Sequence, residues 1–514
     1  MKVTDTFEGS FGSRRRRLPV ALVLGALGLA LALGAEVAPQ APGRRTGTVM
    51  ILYTNDVHDF LKPQAPGMGG LAHVSGFIRR VKQERQDVLV LDAGDACTKG
   101  DMLGVVTRGE MTYRAMAGVG YDAATPGNHD YHYGLPQLLR NARAAAFPLV
   151  SVNPVYEDTG EPVFPPSIER NVQGVRVGIL GGGWGGGGVL DGRKVVTLKL
   201  EELGKRLRTL AQEMRPRVDL IVAVVHDSPA ACRQLAALAP DVQLFVSGHS
   251  HEALPEPLRA APGGALIVQA GCFARNVGEL EVTVDLDTKE VAAHKGRLVE
   301  VRHRKIKPDE ALARRIRGWN ARYCPRADRV VGHVPVPLAK PEVADWLAEA
   351  IRDRAGARVG LVSEILLSGL PAGPLTEDGI FHALWGYGWM VSGRMAGQQA
   401  VCLADVSGAR ILAFLERELA AVPDRKHHLA GATLVVDERK LEGQRIVESD
   451  IVPDQVYRLA APRGSVAAPV ASSILDAEVR DAGYTVTEAA AAYARHARTI
   501  TAPARRARTA ETMR

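Results

Sequence analysis

An α/β fold is the class that the sequence predicts for residues 48–305, on two observations. Its strand candidates are unbroken apolar runs, which need cover on both faces of a sheet. Segments of helical period separate these runs, so strands and helices alternate along the chain. A second, smaller region of α+β character is expected over 330–495.

The first strand is predicted at Val49–Asn55, VMILYTN, and the second at Val88–Asp92, VLVLD. Between them, Leu71, Val74, Phe77, Ile78 and Val81 share one helical face within Leu71–Arg85. Met111–Val119 and Leu135–Ala145 read as helices, with Asp122–Pro126 between them and a strand at Phe147–Val152. Further strands are expected at Val175–Leu180, Leu220–Val225, Val242–Val246 and Ala265–Gln269, and helices at Leu200–Met214 and Pro229–Leu238. Leu280–Leu286 and Gly296–Val301 read as antiparallel edge strands. Gly181–Gly188, GGGWGGGG, has neither the Gly-Lys-Ser/Thr ending of a phosphate loop nor a dinucleotide fingerprint, so it reads as a flexible loop.

Pro308–Ala321 is the expected linking helix within 306–329. The C-terminal region offers helices at Pro341–Ala355, read as amphipathic, and Ile411–Ala420. Its strands are expected at Val359–Val362, Ala400–Leu403, Ala432–Val436 and Gln455–Leu459. Residues 496–514 read as a disordered basic tail.

The chain has 514 residues, 46% of them hydrophobic, enough for more than one core, and a formal charge of +7. Much of the basic excess lies near the two ends, and no interleaving of basic and aromatic residues marks a nucleic-acid surface, so no nucleic-acid partner is expected. Cys97, Cys232, Cys272, Cys324 and Cys402 are scattered without a CxxC pair, which leaves room for one disulfide but not for a framework. Arg14–Arg17 followed by the uncharged run Leu18–Ala35 reads as an export signal over 1–35, or else an uncleaved membrane anchor, with 36–47 a Pro/Gly linker. The expected location is periplasmic or extracellular. Sequence leaves the oligomeric state open.

Five short blocks follow the predicted strands: Asn55–His58, Asp92–Asp95, Thr125–Gly134, Val225–Asp227 and Gly248–His251. In open α/β sheets, ligands bind beyond the carboxyl ends of the strands. Asp56, His58, Asp95, Asn128, His226, His249 and His251 all stand there as candidate metal ligands. A two-metal hydrolase sets its cations roughly 3.5–4 Å apart. A carboxylate such as Asp95 offsets their repulsion by giving one oxygen to each. Imidazole suits Zn, Mn or Fe, so two divalent ions of this kind are the expected cofactor. His73, Asp130, His132 and Asp227 are nearby in sequence, with a supporting role at least as much expected as ligation.

The blocks NDVH, GDACTKG, GNHDYHYG, VVHD and GHSH resemble the calcineurin-like metallophosphoesterase superfamily. More narrowly, residues 49–480 resemble the secreted bacterial 5′-nucleotidase family. The resemblance implies a metallophosphoesterase β-sandwich flanked by helices, followed by a 5′-nucleotidase-like C-terminal domain. It implies one metal held by Asp56, His58, Asp95 and His251 and another by Asp95, Asn128, His226 and His249. It also implies that His129 stabilises the transition state or protonates the leaving group. Family members carry an Asp three residues after this His to orient it. Here that position is His132, a second candidate catalytic residue, and Asp130 or Asp227 are the candidate substitutes for the missing Asp.

The C-terminal resemblance is weaker. Leu361–Thr376 keeps a Pro-Ala-Gly-Pro-Leu-Thr turn but lacks the family's Gly-Gly and Arg. Trp385–Trp389, WGYGW, keeps aromatics without the family's Asn, which makes Trp385 and Tyr387 candidate substrate contacts. After Tyr457–Leu459 the second aromatic motif is missing. The reading is therefore an exported phosphoesterase that cleaves a small phosphate ester through a metal-bridged hydroxide. Two alternatives stay open: a thiosulfohydrolase-like enzyme acting on a carrier-bound sulfonate, and a metal-bound surface protein without turnover.

Overall fold

The computed structural model describes residues 45–63, 67–363, 367–384, 399–421, 427–466, 477–503 and 507–509. The N-terminal apolar run and the aromatic stretch Trp385–Trp389 lie outside them. The described residues belong to one compact unit. No helix among the described residues is long and apolar enough to cross a membrane.

Two mixed sheets are stacked in the first half. One runs Val291–Glu300, Asn276–Asp285, Thr46–Thr54, Val88–Asp92, Ala123–Ala124. The other runs Leu258–Arg259, Leu266–Val268, Leu244–Ser247, Leu220–His226, Val175–Gly183, Ser167–Val172. The unbroken apolar runs are explained by what each face meets. Val49, Ile51 and Tyr53 share a core with Val177, Ile179, Val222 and Val224 between the sheets, whereas Leu52 and Val90 face helices Leu71–Glu84 and Glu110–Val119. Ile221, Ala223 and Val225 face helices Leu200–Met214 and Pro229–Leu238 on the opposite side. Successive side chains alternate between faces, and both faces are covered, so every position is apolar. The result is a β-sandwich flanked by helices.

Three local expectations need correction. Phe147–Val152 forms no strand; only Leu149 makes a bridge, to Ala124, because this stretch runs under the end of a two-residue strand. Asn276–Asp285 is not an edge strand, since Thr46–Thr54 pairs along its other side; of the two, only Val291–Glu300 is at an edge. The glycine run is not wholly a loop either. Gly181–Gly183 complete the strand that begins at Val175. A Cβ at Gly181 would overlap the Val150 carbonyl oxygen, so only glycine lets that chain pass so close.

The second half is built on a five-stranded sheet ordered His427–Ala430, Val359–Ser363, Val456–Pro462, Ala400–Ser407, Arg480–Thr485. Helices Lys340–Ala355 and Val486–Ala497 cover one face and Gly408–Ala421 the other. Lys340–Ala355 is not amphipathic in place: every residue from Val343 to Ile351 is buried, Asp345 and Glu349 included. The expected tail is partly ordered. Ile500 is buried in this core, and Ala507–Thr509 pairs with Leu434–Val436. All five cysteines are free.

Helix Glu310–Tyr323 leads from one half to the other. The halves then meet through polar groups near the sandwich rim. Lys62 Nζ lies 2.5 Å from Asp378 and 2.9 Å from Asp328. His382 Nε2 lies 2.9 Å from Asp101, and the Met102 N–H donates to Asp378 over 2.8 Å.

Candidate metal centre

The carboxyl ends of the parallel strands in both sheets open on the same rim, and the chain turns sharply there. Asp56, His58, Asp95, His249 and His251 all have φ between 50° and 69°, a left-handed conformation that non-glycine residues rarely adopt. Five of the seven predicted ligands therefore hold strained backbone, and such strain clusters where function requires a fixed geometry.

The predicted ligands fall into two groups. Asp56, His58 and His251 have ligand atoms within 4.8 Å of one another, as do Asp95, His226 and His249. Asn128 joins the second group, its Oδ1 lying 2.9 Å from His249 Nδ1 and 3.2 Å from His226 Nε2. Asp95 Oδ2 links the groups, at 3.2 Å from His226 Nε2 and 3.7 Å from His58 Nε2. One oxygen makes that link. Asp95 Oδ1 accepts the His129 backbone N–H over 2.7 Å.

The tautomers are set from behind. His58 Nδ1 donates to the Cys97 carbonyl at 3.1 Å and His226 Nδ1 to the Ala93 carbonyl at 2.7 Å. Each ring thus turns Nε2 into the site, the outer-shell arrangement typical of metal-binding histidine. His58 Nε2 and His251 Nε2 face one another at 3.0 Å. Asp56 Oδ1 is buried beside them without a well-formed hydrogen bond. Burial alone would lower the pKa of His226, yet Asp95 and then Asp56 push it up to about 10. Converging lone pairs, an orphaned carboxylate oxygen and a field that calls for positive charge fit divalent cations well.

Supporting residues sort by their contacts. Asp130 accepts the N–H groups of Asp95, Cys97 and Gly127 over 2.8–3.2 Å, which ties two ligand loops together. Asp227 accepts the Ser228 N–H at 2.8 Å, and its carbonyl accepts the Gly248 N–H. His73 stacks on His303, ring centroids 3.9 Å apart, and takes its place in the packing rather than in either ligand group.

His129 sits beside the first group, its ring 4.8 Å from His58. Its Nδ1 hydrogen-bonds the Thr98 hydroxyl. Thr98 is in turn held by its N–H to Asp59 Oδ2 at 2.5 Å, and Asp59 also binds the Thr112 hydroxyl. His132 packs against His129 at 4.3 Å, and burial pushes its pKa down to about 4. Burial also holds His129 well below the usual imidazole range. Thr98 was not singled out from sequence, although it stands within the GDACTKG block. Its neighbour Lys99, also missed, brings Nζ to 3.5 Å from His58 Nε2. Both have left-handed backbone, a feature with no signature in a Thr-Lys pair. Trp385 and Tyr387 lie outside the described residues.

Residues 49–253 match the family model for calcineurin-like phosphoesterases. Protein UshA of Salmonella pullorum is 24% identical over 490 residues, which span 85% of this chain and 88% of that protein. Other curated relatives are matched over only 34% or 50% of their own length. Among solved structures, a 5′-nucleotidase precursor from Thermus thermophilus aligns over 90% of this chain and 99% of its own, at a TM-score of 0.67 and 21% identity. The sulfate thiohydrolase SoxB of the same organism aligns over 90% and 96%, at 0.64 and 19%, a likeness of fold.

Residues 49–253 thus match a calcineurin-like phosphoesterase domain, a family of hydrolases that act on phosphoester bonds. With its second domain, the chain is a relative of the 5′-nucleotidases.

Proposed function

We propose that this protein is an exported, two-metal phosphoesterase that hydrolyses small phosphate esters, with the domain division of the sequence reading. The observation that carries the proposal is the single carboxylate oxygen of Asp95 standing between two His-rich groups. Asp56, His58, Asp95 and His251 would hold one cation, and Asp95, Asn128, His226 and His249 the other. Two divalent ions in such a site lower the pKa of water and polarise phosphoryl oxygens.

The remaining work falls to the chain. The backbone N–H of His129 fixes Asp95 Oδ1, which keeps Oδ2 turned to both groups. Asp130 holds the loops of Asp95 and Asn128 at fixed spacing. Thr98 engages Nδ1 of His129 and orients the ring beside the first group. A neutral His129 whose Nδ1 accepts the Thr98 hydroxyl carries its proton on Nε2, where it donates to charge developing on the leaving oxygen. His132, packed on the same ring, limits its tilt. Neutral Thr98 thus takes the place of the orienting Asp seen in the resembled family.

Purified full-length protein, loaded with Mn or Zn, is assayed with nucleoside monophosphates, aryl phosphates and thiosulfonate conjugates. Metal-dependent phosphate release is the expected result. Turnover of the thiosulfonate conjugates alone would move the same site to a sulfur-oxyanion ester. Full metal loading with no turnover of any ester would remove the catalytic reading.

A further inference from the structure

Trp184 is a large apolar side chain left 57% exposed, and it stands at the metal centre. Its ring lies 5.3 Å from that of His249, tilted by 35°. Its backbone N–H donates to the carbonyl of His226, over 2.9 Å. The indole is therefore tied by backbone to one candidate ligand and lies against another.

The glycines around it explain how it is presented. Gly183 has φ 117°, and a Cβ there would strike the His226 backbone. A Cβ at Gly186 would run into the Tyr131 ring. Side chains at these positions would lift the segment off the rim. With glycines, the backbone lies flat on the sheet end and the indole is the one bulky group raised from it. The loop part of the glycine run is seated on the rim at Gly183 and Gly186. Exposing an indole costs burial, and a structural role does not require it here, because its backbone N–H already makes the anchor.

We propose that Trp184 stacks against a planar, unsaturated leaving group, so that the favoured substrates are aryl or nucleobase-bearing phosphate esters rather than aliphatic ones. This rests on the phosphoesterase reading above. Stacking on an aromatic face tolerates different rings, because every planar base or aryl group offers a π-face. It also places the recognition element on the metal domain itself, against the ligands His226 and His249.

The test compares wild type with Trp184→Ala and Trp184→Phe in the metal-loaded protein. For p-nitrophenyl phosphate and AMP, Trp184→Ala should raise KM by about ten- to a hundredfold, the range of base–aromatic stacking, with little change in kcat. Glycerol phosphate should be unaffected, and Trp184→Phe should keep most of the aromatic preference. An equal KM rise for glycerol phosphate and the aromatic esters, no change for either, or loss of bound metal in Trp184→Ala would overturn the proposal. A second readout is independent of turnover. Adenosine added to metal-stripped protein should quench indole fluorescence in wild type and not in Trp184→Ala; no such difference contradicts the platform. If wild type hydrolyses no ester, the parent reading fails, and the adenosine titration still decides this one.

Discussion

The rim of the first half and the junction with the second hold their buried polar groups in different ways. In the first, buried Asp56 and Asp95 crowd together at the end of a sheet with His58, His226, His249 and His251, so that each carboxylate faces several ligand-type groups at once. In the second, and where it meets the first, acidic groups are matched: Asp378 with Lys62, Asp101 with His382, Asp345 with His428 at 2.6 Å. A one-to-one pair is structure; several carboxylates and imidazoles converging on one another are a site suited to a cation. The contrast separates where chemistry is done from where domains are joined.

Breaking the first half should have the largest effect. Asp95→Asn replaces the charged oxygen that faces both groups and should lower kcat/KM by about a thousandfold or more, since it removes metal chemistry of the kind that supplies several kcal/mol. Bound metal should fall with it, while circular dichroism stays native; unchanged metal and activity would refute the shared-ligand role. His129→Ala should cut kcat by about a hundred- to ten-thousandfold, the range of general acid–base groups, with metal content intact by mass spectrometry. Thr98→Val should cost about tenfold in kcat, the equivalent of one net hydrogen bond, and Thr98→Ser should restore it.

Changes in the joined region should be milder. His382→Asn removes one partner of Asp101 at the domain junction. It should lower the melting temperature by a few degrees, about what loss of a single buried contact costs a protein of this size, and leave metal content unchanged. The smallest effect concerns pH. Burial pushes Asp92 up to about 8 in the folded protein, from 3.8. The folded state then holds a proton that the unfolded state has released, so this residue's contribution to stability declines as pH rises from about 4 to about 8. Asp92→Asn should flatten melting temperature against pH over that window; an unchanged slope would contradict it.

The same contrast explains what sequence made legible. The ligands of the sandwich could be placed because each follows an apolar strand, and strand ends in a layered α/β fold have few places to go. Helices Leu71–Glu84, Leu135–Ala145 and Leu200–Met214 emerged from period alone. Thr98 and Trp184 did not, because their roles depend on a left-handed turn and on close approach of two strands. Helix Val486–Ala497 went unseen because its Ala-rich face buries small residues that give little periodic contrast. Lys340–Ala355 read as amphipathic because buried Asp345 and Glu349 look in sequence like a solvated face.

The central claim is most directly tested by counting and locating the cations. Mass spectrometry of purified protein, with anomalous scattering from crystals of the Mn-loaded form, should find two ions per chain, bridged by Asp95 and flanked by His58 and His251 on one side and by His226 and His249 on the other. A single ion, or ions bound away from Asp95, would contradict the account.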